Sequence, residues 1–596
     1  MGRVGKQNRR PAALVDPVSE VSNLAWCRLI VEVLHEAGVR HWFLAPGARS
    51  APLAYAASLQ PGLEIITHYD ERGAAFAALG SAQASGRPAV CLTTSGSAVA
   101  HLLPAAVEAW ESGHPLLFLT ADRPPSLRGT GANQTIVQPG LFGHFVRAEW
   151  DLPLPSAEAW STLAEKLRQT VSCWSEGWSG PVHWNVPLAE PLLPPEEKDA
   201  GKVAPGERGA TPRIAPAAVE EKRLRFEIPP WLQTLCASQR GVVVVGELSP
   251  TEQAAASELV GLAGHLGWPL LADPLSGLRN GVPGVVRHTD LLLQDQQWPQ
   301  PVAVLHVGGR IVARRLQEWL NQVPGTAYAQ IRRGPERLDP GLVSPQLVRG
   351  EIVPWVRSLI ETIPAAWDCR WREQWLAADE AAAKHLQAVV RWPGEPALAR
   401  RVVEWAASYG AGLFLGNSMP IRDVDAFAGE AGGRRVTVYG QRGASGIDGN
   451  LAHMAGLARC LDGPLFGLLG DLAVLHDLNS LPLLAGRRVI LFVPNNGGGG
   501  IFSFLPLQLP APAREKLLST PHGFCLSSLV APFGVRSRRC QSEEETKAFV
   551  EELLDPAPPP GPGLVEIPCD RGQNLQDHQK ITRGWLDLAP TWRPDD

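Results

Sequence analysis

Asp471 and Asn496 are the two residues whose type and placement point most directly to chemistry. Gly470-Asp471 closes an apolar run at 465–469. Asn495-Asn496-Gly497-Gly498-Gly499-Gly500 closes another at 489–493. In a parallel α/β sheet both loops leave the carboxyl ends of strands, where ligands bind. A carboxylate, an amide oxygen and a glycine carbonyl are hard oxygen donors. They suit Mg²⁺ or Ca²⁺ holding a phosphorylated cofactor rather than zinc. The glycines let backbone groups approach a ligand closely. The competing explanation is structural: a glycine-rich loop after a strand, with Asp471 capping a helix.

A second acidic pair, Asp70-Glu71, ends the predicted strand 63–69 and opens an Ala-rich helix. It reads as an acid beside a ligand or as an N-terminal acid favoured by the helix dipole. Arginine is the third signal. Arg49, Arg123, Arg422 and Arg442 are expected just after strands, beside glycine or proline. Arg314 and Arg315 fall in the first turn of a predicted helix, where a cation gains nothing from the dipole. One such arginine is ordinarily a surface residue. Six at loop and helix-start positions suggest an anionic substrate, because guanidinium clamps carboxylates bidentately. Other chemistries lack their signatures: no strand is followed by G-x-G-x-x-G, and no P-loop, H-E-x-x-H or G-x-S-x-G occurs.

Strands alternating with helices are needed to position these residues. Helices are expected at 23–38, 71–85 and 95–111, between strands at 41–45, 63–69, 89–94 and 116–121. The stretch 194–230 is rich in Pro, Glu, Lys and Gly and reads as a linker. The rhythm resumes with strands at 242–245 and 302–307 and helices near 252–265, 311–321 and 367–391. A last set has strands at 413–415, 436–439, 465–469, 489–493 and 564–567, with helices at 451–460 and 474–484. This implies an α/β fold of three doubly wound domains with buried parallel sheets. The domain expectation is 1–200, 201–380 and 381–596.

Composition narrows the class. The chain has 596 residues, 59 Gly and 54 Pro, so tight turns are frequent. A net charge of −5 disfavours nucleic acid as the main partner. Nine cysteines stand singly with no C-x-x-C, which fits a reducing compartment and no zinc site. No secretory signal and no run of 18 apolar residues are visible, so the expectation is a cytoplasmic protein without a membrane span.

Gly470-Asp471 followed by Asn495-Asn496 resembles the thiamine-diphosphate motif of 2-oxo acid decarboxylase-like enzymes. Further strings narrow the resemblance: APGARS from Ala45, THYDERGAAFAALG from Thr67, TADRPP from Thr120, GANQ from Gly131, GNSMPIRD from Gly416, QRGASGIDG from Gln441 and GDLAVLHDLN from Gly470. Together they are similar to the 2-succinyl-5-enolpyruvyl-6-hydroxy-3-cyclohexene-1-carboxylate (SEPHCHC) synthase family. The likeness spans about residues 23–577, densely in the first and last thirds and thinly between.

The resemblance implies a thiamine-diphosphate-binding fold. Its pyrimidine and diphosphate domains flank a middle domain, and each site is shared between chains of a homodimer or homotetramer. Glu71 would be the catalytic acid, hydrogen-bonded to the pyrimidine N1′. Asp471, Asn496 and the Gly498 carbonyl would ligate Mg²⁺ or Mn²⁺, with Gly470 beside them. Ile447 would hold the cofactor bent, and Ser418, Met419 and Phe502 would line its pocket. The substrates would be 2-oxoglutarate and isochorismate, both dicarboxylates. Arg49, Arg123, Arg314, Arg315, Arg422 and Arg442, with Asn133 and Gln134, would bind them. The product would feed menaquinone or phylloquinone synthesis. Pyruvate-utilising thiamine-diphosphate enzymes, such as acetohydroxyacid synthases or simple decarboxylases, are the alternative, as is a catalytically silent ligand-binding member of the fold. Two departures stand out: Ala48 replaces the family's usual serine, and Gly497 replaces a third asparagine.

Overall fold

Short apolar runs become strands buried on both faces, as parallel sheets require. The computed structural model describes residues 21–172, 174, 179–193, 225–334, 337–429, 432, 434–557 and 559–594. The expected linker 194–230 lies mostly outside them. The first sheet contains β1 (His41–Leu44), β2 (Glu64–Thr67), β3 (Ala89–Thr93), β4 (Leu116–Asp122), β5 (Ala148–Asp151) and β6 (Pro181–Pro187). The second contains β7 (Gly241–Val245), β8 (Leu270–Ala272), β9 (Ala303–Val307), β10 (Tyr328–Arg332) and β11 (Gln346–Arg349). The third contains β12 (Gly412–Leu415), β13 (Val438–Gly440), β14 (Leu465–Leu468), β15 (Val489–Asn495), β16 (Arg536–Arg539) and β17 (Gly563–Pro568). The strand pairs are parallel throughout.

The orders are β2-β1-β3-β4-β6-β5, β11-β10-β9-β7-β8 and β13-β12-β14-β15-β17-β16. The first and third sheets therefore share one topology. In each, the chain leaves in opposite directions on the two sides of a central crevice, between β1 and β3 and between β12 and β14. Such switch points are where open α/β sheets bind ligands. Leu468 of β14 pairs with Phe492 of β15, which sets the loops carrying Asp471 and Asn496 side by side.

The helix Glu71–Ser85 forms at the expected residues. Asp70 caps it by accepting from the Arg72 and Gly73 amides, and Gly86 ends it at φ +64°. Its residues from Gly73 to Gln83 are buried. It lies against the helix Asn450–Arg459 almost backbone to backbone. A Cβ on Gly80 would stand 2.0 Å from the His453 carbonyl oxygen, and one on Gly456 would stand 1.9 Å from that of Ala77. Phe76, Ala77, Leu451 and Met454 thus share one core between the first and third sheets. The second sheet has its own core, around Val243, Leu259 and Trp268.

Several expected helices are divided. The segment 95–111 becomes Ser97–Ala100 and Leu103–Ser112, with Pro104 at the start of the second piece. The segment 252–265 divides into Pro250–Ala254 and Ala256–His265. The segment 474–484 is an α-helix Asp471–His476 followed by a 3₁₀ stretch Leu478–Leu484 that contains Pro482. The long helix Arg370–Val389 crosses residue 380.

Candidate active site

Asp471 is the first helical residue after β14, and Gly470 takes the capping position. Its buried carboxylate accepts from the Leu472 amide at 2.6 Å and from the Gly498 amide at 3.0 Å. His522 Nε2 lies 3.3 Å away. Burial raises the Asp471 carboxyl above its ordinary value, against the hydrogen bonds that lower it. Asn496 donates from Nδ2 to Glu395 Oε1 at 2.8 Å, while its Oδ1 is buried without a partner. The Gly498 carbonyl accepts from the Gly500 amide at 2.9 Å and keeps a second lone pair. Gly498 sits at φ +147°, and a Cβ there would strike the Ser519 carbonyl oxygen at 2.4 Å. Only glycine fits that approach.

Glu395, the first residue of the helix Glu395–Tyr409, went unnoticed in the sequence. Burial pushes its carboxyl well above the ordinary carboxylate range, Asp423 and Asp471 nearby push the same way, and the Asn496 hydrogen bond opposes them. Buried carboxylates raised together mark a site short of positive charge. An orphaned amide oxygen, a carboxylate and an available carbonyl fit a hard divalent cation. Among the described residues no three His, Cys, Asp or Glu side chains form a metal cluster.

Asp70 does the capping at the first sheet, so Glu71 is not needed for it. Glu71 is half-buried at the helix start, and its side chain makes no hydrogen bond to a described residue. The arginines form two like-charged pairs. Burial lowers Arg49, and Arg123 beside it adds to the effect. Arg49 is held by the Leu188 carbonyl and by Glu190, each at 2.9 Å. Burial also lowers Arg422, with Arg442 as the next cause. Guanidinium groups near enough to lower one another suit an anionic ligand. Contrary to the expectation of a loop position, Arg422 sits within the helix Met419–Phe427. Arg442 donates to Asn417 Oδ1 at 2.7 Å.

Arg314, Arg315, Met419 and Arg422 line one cavity of about 820 Å³, together with Phe504 and His578. Arg314 and Arg315 already pair with Glu318 and Asp290 at 2.7 and 2.8 Å. They are less free than the sequence suggested, although both stay partly exposed. Ser418, beside Met419, has a strained φ of +72°. Phe502 packs over Gly499. Ile447 is 36% exposed on the loop after β13. That loop is clamped: Glu108 accepts from the Gly443 and Ala444 amides at 2.7 and 2.6 Å. Asn417 donates to the Gln441 and Gly446 carbonyls.

Asn133 is exposed. Gln134 is also exposed, at φ +54°, and donates to the Ser95 carbonyl at 3.0 Å beside the β3 loop. A buried polar network anchors the segment that carries both. Gln138 donates to Asn185, Asn185 donates to Asp122 and Asp151, and Arg128 pairs with both carboxylates. Polar residues inside β6 gave no apolar run by which to foresee this.

Comparison with known proteins follows the same division. Residues 26–141 match the family "Thiamine pyrophosphate enzyme, N-terminal TPP binding domain". Residues 227–415 match "Middle domain of thiamine pyrophosphate". The chain is 39% identical over 574 residues to the 2-succinyl-5-enolpyruvyl-6-hydroxy-3-cyclohexene-1-carboxylate synthase of Rubrobacter xylanophilus, covering 94% of this chain and 98% of that one. The proteins of the same name from Salinibacter ruber and Chloroflexus aurantiacus are 38% and 36% identical. Each comparison covers 93% of this chain and 95% of its relative.

Proposed function

The chain belongs to the 2-succinyl-5-enolpyruvyl-6-hydroxy-3-cyclohexene-1-carboxylate synthase family, and from that premise we propose how its side chains divide the work. The reaction is a thiamine-diphosphate-dependent transfer in menaquinone biosynthesis: 2-oxoglutarate loses CO₂, and the remaining succinyl unit adds in 1,4 fashion to isochorismate. When bound, thiamine diphosphate supplies the carbon nucleophile, and the protein supplies orientation and electrostatics.

In this reading Asp471, Asn496 and the Gly498 carbonyl hold Mg²⁺ or Mn²⁺ against the diphosphate. Glu71 hydrogen-bonds the aminopyrimidine and governs its proton. Ser418, Met419, Ile447 and Phe502 shape the cofactor pocket. The pairs Arg49/Arg123 and Arg422/Arg442 bind substrate carboxylates, with Arg314 and Arg315 at the cavity rim and Asn133 and Gln134 as neutral partners. The observation that carries the site is the buried, partnerless Asn496 Oδ1 at the carboxyl end of β15, beside the loop that carries Asp471.

The active assembly in this reading is a homodimer or homotetramer with shared sites. Tyr69 and Val137, 61% and 65% exposed in the loops beside Glu71 and Gln134, support a partner there. In this reading the domains divide near residue 200 and near residue 380, the second boundary falling within the helix Arg370–Val389. The free cysteines among the described residues suit the cytoplasm, and no helix among them is long and apolar enough to cross a membrane.

Purified protein with thiamine diphosphate, Mg²⁺, 2-oxoglutarate and isochorismate should consume isochorismate and release CO₂. Absence of both overturns the reading. Glu71→Gln should cut turnover by about 10²-fold or more with an unchanged circular dichroism spectrum. Near-normal turnover would remove Glu71 from the mechanism.

A further inference from the structure

We propose that Glu395 is a positioning residue that fixes the Asn496 amide so that its oxygen, and not its nitrogen, faces the cation. The inference rests on the metal-site reading above. An Asn amide has one acceptor end and one donor end. The carboxylate oxygen of Glu395 lies 2.8 Å from Nδ2, so the donor end is engaged there. Oδ1 then points away, buried and without a hydrogen-bond partner. Turning the amide over would take away the N–H that Glu395 Oε1 accepts and offer N–H groups, not an oxygen, to a cation. Glu395 is 3% exposed at the start of the helix Glu395–Tyr409, about 100 residues from Asn496 in the chain. That helix packs on β12, β14 and β15, the last of which leads into Asn496. The acceptor is therefore held by the sheet itself. Outer partners of this kind orient a ligand before the metal arrives.

The test is Mn²⁺ binding to the full-length protein with thiamine diphosphate present, read from loss of the free Mn²⁺ electron paramagnetic resonance signal. Glu395→Met removes the acceptor and should weaken Mn²⁺ binding about 10- to 100-fold, the usual cost of losing an outer-shell partner. Glu395→Asp withdraws the acceptor by one methylene, disturbs the fold least and should weaken binding in the same direction. Glu395→Gln keeps an acceptor oxygen and should restore Mn²⁺ binding to within about threefold of wild type. In an Asn496→Asp background, which has oxygen at both ends, Glu395→Met should weaken binding no further. Wild-type affinity in both Glu395→Met and Glu395→Asp, or a Glu395→Gln variant as weak as Glu395→Met, overturns the proposal. Asn496→Ala separates the two claims. If it binds Mn²⁺ normally, the metal-site reading fails. If it loses Mn²⁺ while Glu395→Met and Glu395→Asp do not, only the role of Glu395 fails.

Discussion

Replacing Gly456 by alanine tests whether the contact between the helices Glu71–Ser85 and Asn450–Arg459 holds the site in place. The new Cβ would stand 1.9 Å from the Ala77 carbonyl oxygen, 2.7 Å from the Ser81 amide nitrogen and 2.9 Å from the Ala77 carbonyl carbon. A relaxed C···O contact is about 3.3 Å or longer, so the helices must part by roughly 1.4 Å. All three obstructing atoms are backbone and cannot rotate aside. Overpacking typically costs about 1–3 kcal/mol, and this geometry belongs at the upper end. Alanine returns about 1 kcal/mol of helix propensity. The net loss is therefore about 2 kcal/mol. At about 2.1 cal/mol/K per residue over the roughly 400 residues of the first and third domains, the melting temperature should fall by roughly 2–3 °C. Because Glu71 opens the helix that shifts, kcat should also fall, up to about 10²-fold for an ångström of misplacement. Calorimetry at matched scan rates, with turnover measured well below the melt, reads both effects. Gly261→Ala is the control. It lies in the helix Ala256–His265 with no atom within 4 Å of the added carbon. It should gain about 0.5–1 kcal/mol of local stability. A Gly456→Ala protein that melts within about 1 °C of wild type, with normal kcat, would refute the reasoning.

Two further outcomes are expected. Burial lowers His453 to about 3, below its unfolded value of 6.5, while its ring bonds Gln83 and Gln441. The stabilising neutral form is fully effective above 6.5 and is lost as pH falls toward the folded value. Between pH 6.5 and 5.0 wild type should therefore lose roughly 2 kcal/mol more than His453→Asn, measured by urea midpoints at the two pH values; equal losses would contradict this. Arg128→Met should leave fully buried Asp122 without its cation and cost about 3 kcal/mol. Faster proteolysis within 123–147 would register it, and unchanged cleavage would count against the network's anchoring role.

Much of the architecture was legible because apolar runs and glycine stops dominate it. The helix Glu71–Ser85 was expected residue for residue, since Asp70 and Gly86 punctuate its ends. The oxygen set at Asp471 and Asn496 was legible because its residue types sit directly after strands. β5 and β6 were missed because His183 bonds Glu149 and Asn185 bonds Asp151 across the paired strands, a relation no local pattern carries. Glu395 was hidden for a similar reason: its partner Asn496 lies far along the chain. Arg314 and Arg315 looked freer than they are, since Asp290 approaches only in three dimensions.

The pairing of those two glycine-bearing helices has a consequence for synthesis. About 365 residues separate Ser85 from Asn450. At about 5–20 residues per second, the Ala-rich face of the first helix leaves the ribosome roughly 20–70 s before its cover is made. During that interval the nascent chain carries an uncovered apolar ridge, while the second sheet, with a core of its own, can fold in between. The earliest-made part of the protein is thus among the last to be completed, and its yield in a cell depends on what shields that ridge in the meantime.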